Sequence, residues 1–265
     1  RETAKLALPG TIGCLISSGA KIVMALAGVD LTTLAIAYAL EMVVALILGL
    51  VLFWRYPLRW PTRAEFAHLF RYAWPMVLVT MAAYILPNVD RILVERFWGA
   101  SEVGLYTTVF GIVALMQRVP LAAMTIFFPH ASEDAAKGDL KEIQRRVSVI
   151  ERYLLMITVP MSVGVALSSA HIARLYLGEE FSRSAPILAA MAFNPLILAL
   201  FEAYNTVVYA IEKHRYLVFS SMAGLVVLLA ADAVLVPRAL LGVAMLGLGG
   251  LGAALGSLAS QAVIG

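Results

Sequence analysis

Long apolar runs separated by short polar connections fill this chain. Eight of them approach or exceed the roughly 20 residues that cross a bilayer core as a helix. They lie at about 6–28, 31–54, 68–95, 103–129, 149–170, 184–211, 215–236 and 240–264, with each end placed to within roughly 2–4 residues. The runs are near-continuous. An outer-membrane barrel would instead show alternating segments of roughly ten residues. The pattern therefore predicts an all-α polytopic membrane protein, in which each span satisfies its own backbone hydrogen bonds.

The polar connections carry their own local signals. Trp54-Arg55-Tyr56-Pro57-Leu58-Arg59-Trp60-Pro61 combines interfacial aromatics, arginines and two helix-breaking prolines, and reads as a linker. Residues 62–73 read as a short amphipathic helix. Thr62 and Glu65 have the spacing of a capping box, and Phe66, Leu69 and Phe70 would lie on the membrane surface. Residues 131–148 form the most charged stretch. Gly138 interrupts it, and Asp139 can cap the helix that follows, so it reads first as a solvated turn. Prolines at 75, 87, 160, 186 and 195 fall inside predicted spans, where neighbouring groups can re-satisfy the freed carbonyls and kinks are permitted.

Composition sharpens the class. The chain is 62% hydrophobic and 14% charged, whereas soluble domains are about 45–50% apolar and about 25% charged. Its mean hydropathy is +0.88. A single cysteine, Cys14, excludes an intrachain disulfide and a cysteine metal site. The net charge of +3 says less than its distribution. Taking alternate connections, one side carries Arg1, Lys5, Arg55, Arg59, Arg63, Arg71, Lys137, Lys141, Arg145, Arg146, Arg152, Lys213 and Arg215. The other carries Arg96, Arg174, Arg183 and Arg238. Positive connections stay in the cytoplasm, so the odd-numbered spans would run outward. The chain begins Arg1-Glu2-Thr3 without a signal-peptide pattern and ends inside an apolar run, which leads us to expect a fragment cut at both ends.

Spans one and two weakly echo spans seven and eight. Gly13, Ser17 and Ser18 answer to Ser220, Ser221 and Gly224, and the stretch 34–40 resembles 251–256. Such an echo suits a parallel repeat with close helix packing at small residues.

Charges within apolar runs are costly, about 2.5–3.5 kcal/mol each on insertion scales, so they are functional candidates. Here they are Lys21, Glu41, Asp90, Arg91, Arg118, Glu202 and Asp232. Thr80, Tyr84, Pro87 and Arg91 recur at helical spacing on span three, with Asn88 beside them. Thr107, Gly111, Ala114 and Arg118 do so on span four, with Gln117 adjacent. Two arginines at different depths would attract a diphosphate, since guanidinium presents a rigid fork of donors. The substrate-binding candidates are accordingly Arg91, Arg118, Thr80, Tyr84, Asn88 and Gln117, and the ion-coupling candidates Asp90 and Glu202. Plainer roles compete. Asp90 and Arg91 could cap the outer end of span three, and Arg118 could snorkel to headgroups. Lys21 and Asp232 could reach an interface, and Glu41 and Glu202 could be buried hydrogen-bond partners. His68, His130, His171 and His214 lack ligand spacing. No Gly-rich phosphate loop, HExxH, GxSxG or carboxylate cluster with metal spacing is present in the sequence. The sequence therefore points to no cofactor, no metal, no nucleic-acid partner and no enzyme.

Residues 72–106 resemble a known family. Tyr72-Ala73-Trp74-Pro75, Asp90-Arg91-Ile92-Leu93, Gly99 and Glu102-Val103-Gly104-Leu105-Tyr106 look like the start of the second half of a polysaccharide flippase. That family belongs to the multidrug/oligosaccharidyl-lipid/polysaccharide exporter superfamily. Pro120, Pro129, Leu175-Tyr176-Leu177-Gly178-Glu179-Glu180-Phe181 and Lys213 continue the likeness. The resemblance implies residues 1–54 as the last two helices of a first bundle, 55–67 as a cytoplasmic linker and 68–265 as a second six-helix bundle. It implies alternating-access transport of an undecaprenyl-diphosphate-linked oligosaccharide across the inner (plasma) membrane, through a cationic cavity lined by spans three and four. The partners would be that lipid-linked glycan, the bilayer and a coupling ion, H+ or Na+. The alternatives are a drug/cation antiporter of the same superfamily, a lipid-II-type flippase, and a membrane-embedded glycan polymerase or acyltransferase.

Overall fold

A computed structural model describes residues 2–28, 33, 42–44, 46–51, 62–240 and 243–264. The linker at 55–61, Glu41 and the 34–40 part of the internal echo lie outside the described residues. The chain divides into two units, Arg1–Phe66 and Ala67–Gly265.

In the first unit, helix α1 spans Glu2–Leu26. Its Leu15, Ile16, Ile22 and Val23 are exposed, as on a helix solvated by lipid.

The sequence beyond the linker opens with the predicted capping box. Thr62 N–H donates to Glu65 Oε2 at 2.8 Å, and Glu65 N–H donates back to Thr62 Oγ1 at 3.3 Å. The helix this box starts, α2, runs unbroken over Arg63–Trp98. The expected short surface helix at 62–73 is therefore the first part of one long helix. At 1.5 Å per residue its 36 residues reach about 54 Å, well beyond the roughly 30 Å hydrocarbon core. The predicted surface helix and the predicted third span fall on one continuous helix.

The second unit is a helical bundle. After α2 come α3 (Ala100–Thr108), α4 (Phe110–Lys137) and α5 (Leu140–Leu167). A one-turn helix, a π-turn and a 3-10 turn then lead to α6 (Ala185–Met191) and α7 (Asn194–Ala210). Helix α8 (His214–Leu235), a two-residue antiparallel pairing of Ala239–Leu240 with Val243–Ala244, and α9 (Gly250–Ile264) complete it. Among the described residues, four helical stretches are long and apolar enough to cross a membrane: Ala100–Lys137, Leu140–Leu167, Glu179–Ala210 and Arg215–Leu235. The chain is thus an all-α polytopic membrane protein.

Two predicted spans differ in detail. The run at 184–211 is not one helix: it breaks at Ala192 and Phe193. Pro186 and Pro195 occupy the first turns of α6 and α7, where proline's missing N–H costs nothing, so they start helices and do not kink one. The run at 240–264 is helical only from Gly250. Before that, Val236, Arg238 and Gly249 pack against Trp98. Trp98 Nε1–H donates to the Val236 carbonyl at 2.7 Å, and the Arg238 guanidinium lies 4.3 Å above the indole ring. Gly249 adopts φ +57° with the indole only 3.2 Å from where a Cβ would sit. Sequence hydropathy sees only the apolar run; the left-handed backbone turns it into a cap.

The charged stretch at 131–148 folds as read. Gly138 takes the left-handed conformation at the end of α4, and Asp139 Oδ1 accepts the Glu142 N–H at 3.1 Å to start α5. Arg146 then ties the corner together, reaching Asp134 at 3.0 Å and Glu142 at 2.9 Å.

Apolar packing forms two clusters. One gathers Val94, Tyr106, Val113, Leu188, Met191 and Ala253 near the Trp98 end. The other gathers Met124, Phe127, Ile143, Leu154, Ala199 and Ala203 near the charged corner. Helices α8 and α9 approach closely because glycine and serine face each other. Ser260 Oγ donates to the Gly224 carbonyl at 2.8 Å, and a Cβ on Gly252 would lie 2.6 Å from the Leu235 carbonyl oxygen.

Candidate functional site: a polar cavity inside the bundle

A cavity of about 430 Å³ opens among α2, α4, α6, α7, α8 and α9. Its size falls within the roughly 300–1,000 Å³ usual for small-molecule sites. Five of these helices contribute polar groups, and α6 contributes the apolar Met191. Helix α7 presents Asn194, Glu202, Asn205 and Tyr209; α8 presents Ser220 and Ser221; α9 presents Ser257, Ser260 and Gln261; α4 presents Gln117; α2 presents Asp90. Phe110, Ile197, Leu198, Phe201 and Leu228 supply apolar wall. The break before α7 places Asn194 at the cavity. This side chain is 2% exposed, and its Oδ1 has no hydrogen-bond partner. An interrupted helix with polar groups turned inward is tolerated at membrane depth where it lines a cavity.

Asp90 is the most constrained of these side chains. It is 2% exposed. The Tyr106 hydroxyl, itself buried, donates to Asp90 Oδ2 at 2.7 Å, and the Tyr106 ring meets Phe110 edge-on at 5.1 Å. Arg91, next in sequence, lays its guanidinium 4.9 Å over the Phe110 ring. Phe110 forms part of the cavity wall, whereas Arg91 does not line it. Farther along the wall, Glu202 lies within hydrogen-bonding reach of Asn205.

The predicted site residues do not all meet here. Asp90, Gln117 and Glu202 line the cavity. Arg91 packs on the Phe110 ring and does not line the cavity. Thr80 and Tyr84 lie along a separate shallow groove on α2, and Asn88 Nδ2 donates to the Tyr84 carbonyl at 2.6 Å on the same helix. Arg118, one residue after Gln117, is exposed and outside the cavity wall. No lysine or arginine lines the cavity among the described residues. Sequence reading passed over Asn194, Asn205, Tyr209 and the serines of α8 and α9. Their recurrence every three or four residues within apolar helices was the available signal. It also set Asp232 at an interface, whereas the side chain is fully buried.

The fold and the cavity define a class: a multi-pass helical membrane protein with a partly open chamber, lined by both apolar and polar side chains, among its helices. Within that class, the chain belongs to the polysaccharide biosynthesis protein family, whose model matches residues 3–186. A curated relative, the probable low-salt glycan biosynthesis flippase Agl15 of Haloferax volcanii, is 24% identical over 170 residues. That alignment covers 64% of this chain and 36% of the relative, so the chain spans about a third of the length of the curated relative it matches. No solved structure matches the chain.

Proposed function

We propose that this protein is part of a transporter that moves a lipid-linked oligosaccharide, carried on undecaprenyl diphosphate, across the inner membrane by alternating access. The observation that carries the reading is the family match over residues 3–186, joined to a polar cavity inside a helical membrane bundle. The flippase name of the archaeal relative supports it. In this reading Arg91 and Arg118 attract the diphosphate, and Thr80, Tyr84, Asn88 and Gln117 line its path. Asp90 or Glu202 carries the coupling ion. The proposed path follows the polar face of α2 and its neighbour α4, with residues 1–54 ending a first bundle and 68–265 forming a second. The test is surface glycan export by the whole protein. Arg118→Ala should abolish export with membrane abundance unchanged; normal export would remove Arg118 from the mechanism.

One observation favours a second reading. The cavity wall carries Asp90 and Glu202 and no arginine or lysine among the described residues. An acidic lumen suits a cationic drug exchanged for an ion. Cells expressing the whole protein would then exclude a cationic dye, and Asp90→Asn would abolish exclusion while glycan export stayed untouched.

A further inference from the structure

Asp232 of α8 is fully buried, and among the described residues neither of its carboxyl oxygens has a hydrogen-bond donor. It faces Asp90 within hydrogen-bonding reach. Asp90 Oδ2 takes the Tyr106 hydroxyl, but Asp90 Oδ1 has no donor either. Two carboxylates can only accept, so as anions they leave three buried oxygens unsatisfied and two like charges in contact, each a heavy cost in a dry interior. The space for this arrangement is built in. A Cβ on Gly256 of α9 would strike Asp232 Oδ1, so only glycine leaves room for the carboxyl there.

We propose that Asp90 and Asp232 form a carboxyl pair that holds one exchangeable proton between them at the wall of the bundle cavity. The charge balance supports a proton. Arg91, beside Asp90 on α2, offsets a single negative charge. With Asp90 ionised, Asp232 protonated and Tyr106 neutral, the buried group carries no net charge. Tyr106 from α3 already donates to Asp90, which marks Asp90 as the anion and Asp232 as the acid that donates to Asp90 Oδ1. Helix α9 has no titratable side chain anywhere between Gly250 and Ile264, and α8 offers none at this depth besides Asp232. Glu202 of α7 lines the same cavity. Release transfers the proton from Asp232 by way of Asp90 to water entering the cavity, leaves the pair with two negative charges, and moves no electron pair between other atoms. Conversion of that proton into transport rests on the flippase reading above; its residence on the pair does not.

Infrared difference spectroscopy of the whole protein in liposomes, without glycan substrate, tests this directly. At neutral pH the wild type should show a carboxylic acid C=O band that shifts in heavy water. The band should vanish in Asp232→Asn and persist in Glu202→Gln. A band unchanged in both Asp232→Asn and Asp90→Asn would overturn the proposal. So would a wild type lacking the band, with a carboxylate stretch that responds to added sodium. Should Asp232→Asn fail to fold, Tyr106→Phe decides: loss of the donor to Asp90 should move the same band, and an unmoved band counts against the pair. Because the readout needs no transport, failure of glycan export would leave the proton site standing.

Discussion

Removing the Tyr106 hydroxyl isolates the bond that organises the cavity wall. Tyr106→Phe keeps the ring, which is fully buried and meets Phe110 edge-on at 5.1 Å, so no space opens in the apolar cluster. What goes is the 2.7 Å donation to Asp90 Oδ2. A hydrogen bond to a charged acceptor is worth about 1.5–3 kcal/mol. The upper part of that range, about 2–3 kcal/mol, applies here, because Asp90 is 2% exposed and water cannot replace the lost donor. For a unit of this size each kcal/mol shifts the melting temperature by about 2–4 °C, so the variant should melt roughly 4–12 °C lower. The assay is thermal unfolding of the purified whole protein in detergent, with exposed Tyr84→Phe as a control that should not move. If Tyr106→Phe melts within about 1 °C of wild type, less than the roughly 2–4 °C that a single kcal/mol would produce, Asp90 does not depend on that hydroxyl and the electrostatic account of the wall is wrong.

Other perturbations test separate parts of the fold. Gly252→Ala places a Cβ 2.6 Å from the Leu235 carbonyl oxygen, a backbone atom that cannot swing aside, and should cost about 1–3 kcal/mol in the same melting assay. Gly164→Ala, in α5 with open space around the new methyl, should instead stabilise by about 0.4–1 kcal/mol. Trp98→Phe loses the donation to the Val236 carbonyl and weakens the Arg238 contact. It should cost about 1–2 kcal/mol and expose the backbone next to Arg238 and Gly249 to faster protease cleavage, read by mass spectrometry. Arg146→Ala leaves the mostly buried Asp134 without its cation. Raised hydrogen exchange confined to the α4–α5 corner is the expected result, and unchanged exchange there would show that Gly138 and Asp139 suffice to hold it.

Much of this architecture was readable along the chain, because its causes are local. A lipid interior demands runs of about 20 apolar residues with internally satisfied backbones, and that demand is written in composition and spacing. The corner at Gly138 and Asp139 and the box at Thr62 and Glu65 were legible for the same reason. Each joins groups within a turn of one another. Family likeness, too, resided in short motifs such as Asp90-Arg91-Ile92-Leu93.

Only the tertiary structure decided which polar stripes share a chamber. Asn194, Ser220, Ser260 and Gln117 lie far apart in sequence, and helical periodicity gives each a face without naming the face opposite. The same holds for Asp90 and Asp232, which stand 142 positions apart in the chain, and for Gly256, whose missing side chain makes the room they need. Hydropathy also could not foresee that Val236, Arg238 and Gly249 would pack over Trp98, since an apolar run scores alike as helix or cap. The local rules set by solvent and backbone can be read from neighbours in the chain. Packing joins residues that only the folded bundle makes neighbours.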